Sequence, residues 1–256
     1  MDDRKLELHE MNPTGRFSDR AADYVNYRPG YPAGAFDAML AGLGGAATLT
    51  AADVGAGTGI SARALADRVG QVIALEPNEA MRGAAAPHPR VRWSDGSAEA
   101  TGLADGSVSL VLCAQAFHWF RPDEALAEFH RILRLGGRLA LMWNARDHAD
   151  ELTGAYAAAI RAVGGEHPAE ARDFDPAVIS RTGLFPPARL VVLPNAQALD
   201  RRGLAGRALS ASYVPREGAA RDDLVARLDA LHERHRDAAG LVHLRYETRL
   251  YMAGRA

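Results

Sequence analysis

The 256-residue chain is close to neutral, with 30 basic and 32 acidic residues, a net charge of −2 and 48% hydrophobic residues. This balance is typical of a globular protein, and it lacks the basic surface that nucleic-acid binding requires. No apolar run approaches the ~20 residues that span a bilayer. Residues 1–10 do not resemble a signal peptide, and Cys113 is the only cysteine. We therefore expect one cytoplasmic domain over residues 1–256, with neither nucleic acid nor membrane as a partner.

Lysine is almost absent, since Lys5 is the only one. A P-loop requires a lysine after its glycines, and a Schiff-base enzyme requires one in a buried pocket. Lys5 lies in a polar N-terminal segment that suits neither role. Nucleoside triphosphate hydrolysis and pyridoxal chemistry are therefore disfavoured.

The first two thirds of the chain predict an alternation of strands and helices. Helical spacing of apolar residues predicts helices at 17–27 and 33–42, separated by Pro29, Gly30 and Pro32. Strands are then predicted at 50–54, 71–75, 90–93, 107–114 and 138–143, with helices at 60–69, 78–85 and from Pro122 to the glycines Gly136 and Gly137. Such alternation indicates a doubly wound α/β sheet, which binds ligands at the carboxyl ends of its strands.

The last third of the chain has a different pattern. Helices are predicted at 151–163, 201–212 and 221–236, with a proline-containing connection at 185–194. Strict alternation over residues 241–252 predicts a strand with one exposed face. We expect an N-terminal helical lid at 17–45, a ligand-binding core at 46–145, and a cap with the substrate region at 146–240, the sheet being completed up to residue 252.

A glycine loop follows the first predicted strand. Glycine allows a tight turn and a close approach of the ligand to the main chain. The dinucleotide fingerprint requires a further glycine where this chain has Ile60. Asp53, two residues before Gly55, would repel a pyrophosphate but could help to orient an ammonium group. The loop therefore favours a nucleoside-like ligand without a phosphate clamp.

Two further segments suit an adenosine group. Glu76 ends the second predicted strand, where a carboxylate can accept hydrogen bonds from both ribose hydroxyls, although a surface or helix-capping acid is the alternative. Residues 95–99 follow the third strand and offer backbone N–H groups and short polar side chains near the expected adenine position.

Together these motifs resemble class I S-adenosylmethionine-dependent methyltransferases. The resemblance continues through residues 115–120 and 133–142, and upstream Phe17, Tyr24 and residues 28–32 are similar to small-molecule enzymes related to trans-aconitate methyltransferases. It implies a mostly parallel seven-stranded Rossmann-like sheet with an antiparallel C-terminal strand and a helical cap. It also implies S-adenosylmethionine as co-substrate, S-adenosylhomocysteine as product, and a small-molecule acceptor.

The resemblance implies a set of cofactor-binding residues. Glu76 would hold the ribose and the N–H of Ala98 would meet the adenine. Ser97 stands where the family often has aspartate, so Glu99 is the alternative polar contact. Arg28 would pair with the cofactor carboxylate or be an exposed turn residue. The full set is Arg28, Asp53, Gly55, Ala56, Gly57, Thr58, Gly59, Glu76, Pro77, Met81, Ser97, Ala98, Glu99, Ala114 and Gln115.

Methyl transfer needs alignment of the reacting groups, and it needs a base only when a neutral acceptor must lose a proton. His118, after the fourth strand, is the candidate for this catalytic role, with a packed core histidine as the alternative. Tyr24, Trp119 and Tyr213 are candidate substrate contacts. No metal site is expected, because His232 and His235 lack the four-residue spacing of a zinc motif.

Two other functions stay open at this point. One is a nicotinamide-dependent oxidoreductase on the same sheet, which the residue at position 60 disfavours. The other is a non-catalytic S-adenosylmethionine-binding partner protein. The acceptor atom is not readable from the sequence, and either a monomer or a homodimer is compatible with it.

Overall fold

A computed structural model of the chain describes residues 27–165, 174–211, 213–215 and 217–256. Seven strands form one sheet: β1 (Thr50–Val54), β2 (Gln71–Leu75), β3 (Val91–Ser94), β4 (Val108–Ala114), β5 (Leu133–Arg146), β6 (Arg189–Leu199) and β7 (Val242–Gly254). Their order across the sheet is β3-β2-β1-β4-β5-β7-β6. Strands β1 to β5 pair in parallel, whereas β7 is antiparallel to both β5 and β6. The predicted doubly wound fold with an antiparallel C-terminal strand is confirmed.

The helices lie between these strands in the order expected of this fold. They are α1 (Ala33–Leu40), α2 (Ile60–Ala66), α3 (Glu79–Gly83), α4 (Pro122–Ile132), α5 (Glu151–Gly164), α6 (Ala177–Arg181), α7 (Arg201–Leu209) and α8 (Ala219–His235). Short 3₁₀ turns occur at Ala46–Thr48 and Phe117–Trp119. The predicted helix at 17–27 lies, apart from Tyr27, outside the described residues, and so does Tyr24.

Strand β4 explains why the sheet is covered on both faces. All seven of its residues are buried, as expected of a central parallel strand. One apolar cluster includes Leu110 and Leu112 with α1 and α2, and a second includes Val111 and Cys113 with α4. A third cluster joins α5, α7 and α8 to the far ends of β6 and β7. We call this third unit the cap.

Two expectations about the second half of the chain are wrong. Residues 185–194 were expected to connect helices, but β6 occupies 189–199 as an edge strand, where Pro194 is tolerated because its missing N–H lies at the sheet edge. Gly136 and Gly137 do not end α4, which stops at Ile132. They lie inside β5, where their backbones bond to Arg255, and Gly136 adopts a positive φ of 72° at an irregularity of the ladder.

Candidate functional site

A cavity of about 300 Å³ opens at the carboxyl ends of β1 to β4. The loops that follow these four strands line it. The lining residues are Gly55, Gly57, Glu76, Pro77, Asn78, Met81, Gly96, Ser97, Ala98, Glu99, Ala114, Gln115, Ala116, Trp119, Phe120 and Arg121. This volume lies at the lower end of the range for small-molecule sites. The cavity occupies the edge of the sheet at which an α/β fold binds its ligand.

Glu76 is one of two acidic residues that line this cavity, and main-chain donors hold its carboxylate in place. Its Oε2 accepts a hydrogen bond from the N–H of Gly57 at 2.9 Å, and its Oε1 accepts one from the N–H of Asn78 at 2.9 Å. Burial raises the pKa of Glu76, although these two bonds and the nearby Arg82 act in the opposite direction. Each carboxylate oxygen keeps further acceptor capacity, so the group can bind a ligand hydroxyl without losing its backbone contacts.

The glycine loop brings the main chain to the cavity wall. Gly55, Gly57 and Gly59 all have positive φ, of 70°, 57° and 76°. A Cβ added to Gly55 would lie 2.6 Å from the Cβ of Ala116 and 2.9 Å from Cζ of Phe120. The N–H groups of Gly55 and Ala56 bond to the carbonyl of Leu75 at the end of β2. The loop therefore has room for glycine alone at position 55, and its shape is fixed by the neighbouring strand.

The loop at 96–99 forms the opposite wall. Ser97 Oγ accepts from the N–H of Ala100 at 3.2 Å, and Glu99 Oε1 accepts from the N–H of Arg121 at 2.9 Å. Both side chains therefore stabilise their own surroundings as well as lining the cavity. A Cβ on Gly96 would approach the Thr101 carbonyl oxygen to 2.6 Å, so this loop also packs closely. Met81, which is buried, completes this side.

Asp53 lies beneath the glycine loop and does not line the cavity. Its side chain is fully buried, and its Oδ2 accepts a hydrogen bond from Ser61 Oγ at 2.7 Å. Its Oδ1 is buried without a hydrogen-bond partner. Burial raises the pKa of Asp53 to about 7. Burial, and then the charge of Asp53, also raises the pKa of the Cys113 thiol, which makes this cysteine a packing residue.

His118 and Trp119 lie in the 3₁₀ turn after β4. Trp143 Nε1 donates a long hydrogen bond of 3.4 Å to Nδ1 of His118. An indole N–H can only donate, so Nδ1 is the acceptor and the neutral ring carries its proton on Nε2. Trp119 lines the cavity, its ring centroid 5.0 Å from that of His118. His118 therefore lies next to the cavity wall rather than in it.

The structure brings most of the expected site residues together. Those that line the cavity are Gly55, Gly57, Glu76, Pro77, Met81, Ser97, Ala98, Glu99, Ala114, Gln115 and Trp119. Ala56, Thr58 and Gly59 belong to the same loop but do not line it. Tyr213 lies in the cap, where its ring packs on Gly164, and Arg28 contacts the cap through a hydrogen bond of 3.4 Å from Nη2 to the Ser210 carbonyl.

Five lining residues were not among the expected ones: Asn78, Gly96, Ala116, Phe120 and Arg121. Asn78 had a signal in the sequence, since its side chain caps α3 by accepting from the N–H of Met81. Gly96 lies within the segment already expected to meet the adenine. The other three depend on how the chain turns after β4, which no local pattern indicates.

Comparison with known proteins gives a clear result for residues 52–141, which include the cavity and which we call the cavity half. Residues 52–141 match the model of a methyltransferase domain. An uncharacterized methyltransferase-like protein of Schizosaccharomyces pombe is 40% identical over 133 residues, which cover 51% of this chain and 52% of that relative. An uncharacterized methyltransferase of Mycobacterium tuberculosis is 41% identical over 132 residues, with 51% and 53% covered. The chain thus spans about half the length of the curated relatives it matches.

Solved structures extend the likeness to the rest of the fold. A proposed type II methyltransferase from Anaeromyxobacter dehalogenans has a TM-score of 0.60 and 26% identity, covering 89% of this chain and 97% of that one. A proposed methyltransferase from an antibiotic biosynthesis pathway of Anabaena variabilis has a TM-score of 0.61 at 21% identity, covering 88% and 98%. The resemblance to class I methyltransferases is confirmed, and residues 52–141 match a methyltransferase domain. The narrower trans-aconitate subfamily is not confirmed.

Two other properties follow from the described residues. Among them, no helix combines the length and apolarity needed to cross a membrane. Within the same ranges, no group of three or more histidine, cysteine, aspartate or glutamate side chains is placed to hold a metal ion.

Proposed function

Since residues 52–141 match a methyltransferase domain, we propose that this protein transfers the methyl group of S-adenosylmethionine to a small-molecule acceptor. The observation that carries the proposal is the position of Glu76. Its carboxylate is fixed by two main-chain N–H groups at the edge of a cavity that glycines shape. This arrangement suits a ribose with two neighbouring hydroxyls.

The residues present fit this cofactor. Glu76 would accept hydrogen bonds from the ribose hydroxyls, and the main chain at Ala98, with Met81 beside it, would meet the adenine. The loop around Gly57 would lie against the amino-acid part, with the carboxyl of Asp53 beneath it. When bound, S-adenosylmethionine supplies an electrophilic methyl group on a positively charged sulfur.

The aromatic side chains after β4 would keep water away from the reacting groups. Phe117 is buried and packs edge-on against Phe120, which lines the cavity with Trp119. Holding two reactants in line in a dry pocket can account for ~7–11 kcal/mol of barrier lowering. An aromatic face also stabilises a nearby cation. Alignment and exclusion of water are therefore the main contribution of this chain to the reaction.

We propose that His118 contacts the reacting polar group of the acceptor. With Nδ1 accepting from Trp143, the neutral ring presents an N–H at Nε2. In this state His118 would orient an acceptor by donating a hydrogen bond. To act as a base it would first have to give up the contact with Trp143. Trp119 is the proposed acceptor contact in the cavity, and Tyr24 and Tyr213 remain proposals for the same role.

The domain limits are proposals of the same kind. We assign cofactor binding to residues 46–145, the acceptor region to the cap at 146–240, and a covering role to the N-terminal segment 17–45. A cytoplasmic location is part of the proposal. Both a monomer and a homodimer are compatible with it.

Calorimetry tests the proposal directly. We expect S-adenosylhomocysteine to bind and NADH not to bind; the reverse would support the oxidoreductase alternative and overturn the proposal. Incubation with labelled S-adenosylmethionine and a panel of small metabolites should then give methylated products. Loss of both binding and products in the Gly57→Arg variant would assign the activity to this cavity. Binding without any product across the panel would favour a non-catalytic binding protein.

A further inference from the structure

Three arginines surround one buried tyrosine in the cap. Tyr156 on α5 is fully buried, and the guanidinium of Arg146, the last residue of β5, lies 5.3 Å from its ring centroid. The charges of Arg207, Arg146 and Arg28 all act on the Tyr156 hydroxyl in the direction that lowers its pKa, although burial dominates and raises it to about 12. We call these four residues the arginine cluster.

Arg207 and Tyr156 carry buried polar atoms that have no hydrogen-bond partner among the described residues. Arg207 on α7 is only 5% exposed, and its Nε and Nη1 atoms are buried with no hydrogen-bond partner. The hydroxyl of Tyr156 is buried and unpartnered as well. These polar atoms belong to two different helices, α5 and α7, and both helices pack in the cap.

Burial of the unpartnered Arg207 nitrogens and the Tyr156 hydroxyl is unfavourable unless a further group binds them. Arginine does not lose its proton in proteins, so a buried guanidinium cannot relieve the cost of burial by becoming neutral. Neighbouring positive charges in a medium of low dielectric constant also repel one another. Within the described ranges, the groups that act on the Tyr156 hydroxyl are the three arginines and Tyr246. A bound anion would remove both costs, and a guanidinium matches the geometry of carboxylate and phosphate oxygens.

We propose that the arginine cluster binds the acidic group, a carboxylate or a phosphate, of the methyl acceptor, with Arg207 and the Tyr156 hydroxyl as its donors. This inference rests on the proposed function. It adds a place for the acceptor and one chemical feature that the acceptor must carry.

The cluster lies further along β5 than the cavity does. Ala114, which lines the cavity at the end of β4, pairs with Met142 of β5, and Arg146 follows four residues further along that strand. At ~3.3 Å per residue, Arg146 stands roughly 13 Å beyond the level of Ala114. The side-chain amide of Gln115 reaches the carbonyl of Asn144 between them at 3.4 Å. This spacing suits a small molecule held at its acidic end.

Binding of simple anions to the S-adenosylhomocysteine-saturated protein tests the inference. The probes are benzoate and phenyl phosphate, with benzamide as the neutral match. We expect benzoate or phenyl phosphate to bind about tenfold more tightly than benzamide, and the tighter of the two identifies the group. Arg207→Met should weaken that binding about tenfold, and Tyr156→Phe should weaken it about threefold.

Arg202→Met is the matched control, because Arg202 is an exposed arginine on the same helix. It should leave anion binding within about twofold of the unsubstituted chain. A structural role for Arg207 would make Arg207→Met less stable, whereas removal of a buried, unpaired charge should keep or raise Tm without ligand. A fall in Tm together with unchanged anion binding would overturn the inference.

Two further results separate this inference from the proposed function. If Arg207→Met weakens S-adenosylhomocysteine binding and benzoate competes with that ligand, the cluster holds the cofactor carboxylate and the inference is wrong. If the unsubstituted chain binds no S-adenosylhomocysteine, the proposed function fails. The anion titrations are then carried out on the protein without S-adenosylhomocysteine. Equal affinity for benzoate and benzamide in either condition would contradict the inference.

Discussion

The cavity and the cap recognise ligands by different means. Glycines and Ala98 bring the main chain to the cavity wall, and the carboxylate of Glu76 is held there by main-chain donors. The arginine cluster in the cap is built from long side chains that come from four separate segments. The difference indicates that substitutions can alter the cavity without altering the arginine cluster, and the reverse.

The titration of Asp53 should give the largest change in free energy, because this carboxyl is fully buried and one of its oxygens has no hydrogen-bond partner. Its pKa of about 7, against 3.8 for the free side chain, means that the folded chain holds a proton that the unfolded chain has released. The free energy of unfolding should therefore fall as pH rises from about 4 to about 7, by on the order of 4 kcal/mol, and level off above that range. Urea unfolding across this range measures the change.

Asp53→Asn should remove most of this pH dependence, since the amide does not titrate and the raised pKa of Glu76 leaves a smaller slope of the same sign. Asp37→Asn, at an exposed position on α1, should leave the slope as it is. An unchanged slope in Asp53→Asn would mean that Asp53 is not the group that titrates, which would contradict the prediction.

Glu76→Ala should weaken S-adenosylhomocysteine binding about 100-fold, because hydrogen bonds to a charged group contribute ~1.5–3 kcal/mol. Calorimetry gives the affinity, and circular dichroism checks that the fold is retained. Glu79→Ala, three residues along at an exposed position of α3, is the control and should change affinity little. Benzoate binding should not change in Glu76→Ala. A parallel loss of benzoate binding would join the two halves of the site into one.

Gly55→Ala should weaken S-adenosylhomocysteine binding about 30-fold, since crowding of a packed site costs ~1–3 kcal/mol. The added methyl would meet Ala116 and Phe120 in the cavity wall. Gly102→Ala is the control, because Gly102 has a similar φ of 72° but nothing within 4 Å of an added Cβ. Both variants should lose stability through backbone strain, and only the first should lose affinity. Equal affinities would show that the clash is absorbed by movement of Phe120.

His118→Ala should give the smallest effect, a fall in turnover of about tenfold with cofactor affinity nearly unchanged, as expected for one lost hydrogen bond. Steady-state rates at saturating S-adenosylmethionine, with an acceptor found in the metabolite panel, measure it. The exposed His148 provides the control in His148→Ala. Unchanged turnover would mean that His118 only packs beside Trp143. A larger fall in cofactor affinity than in turnover would mean that His118 contributes to cofactor binding.

The cavity half was predictable because its signals are local. Strands β1 and β2 match the expected limits, since each is a short run, largely apolar, that ends at a glycine loop or an acid. Glu76 follows from its place at a strand end. Even here Asn78 was missed as a wall residue, and the role of Asp53 beneath the loop depends on Ser61 in the following helix.

The second half was predicted less well because its elements depend on distant partners. Strand β6 contains Pro194 and lies at an edge, so only its pairing with β7 shows that it is a strand. The glycines at 136 and 137 are helix-ending residues by local rules, yet pairing with the C-terminal segment extends β5 through them. The arginine cluster joins residues 28, 146, 156 and 207, and no sequence spacing brings these together.

The main-chain walls of the cavity have a consequence for how this chain can change. Every replacement other than one by proline keeps the backbone N–H. Most substitutions near the cavity therefore leave its main-chain donors in place. The arginine cluster has no such protection, because a single codon change removes a guanidinium. Variation in acceptor choice should therefore accumulate in the cap while the cofactor is retained. A library restricted to Arg146, Tyr156 and Arg207 is accordingly the place to begin redirecting this protein to new acceptors.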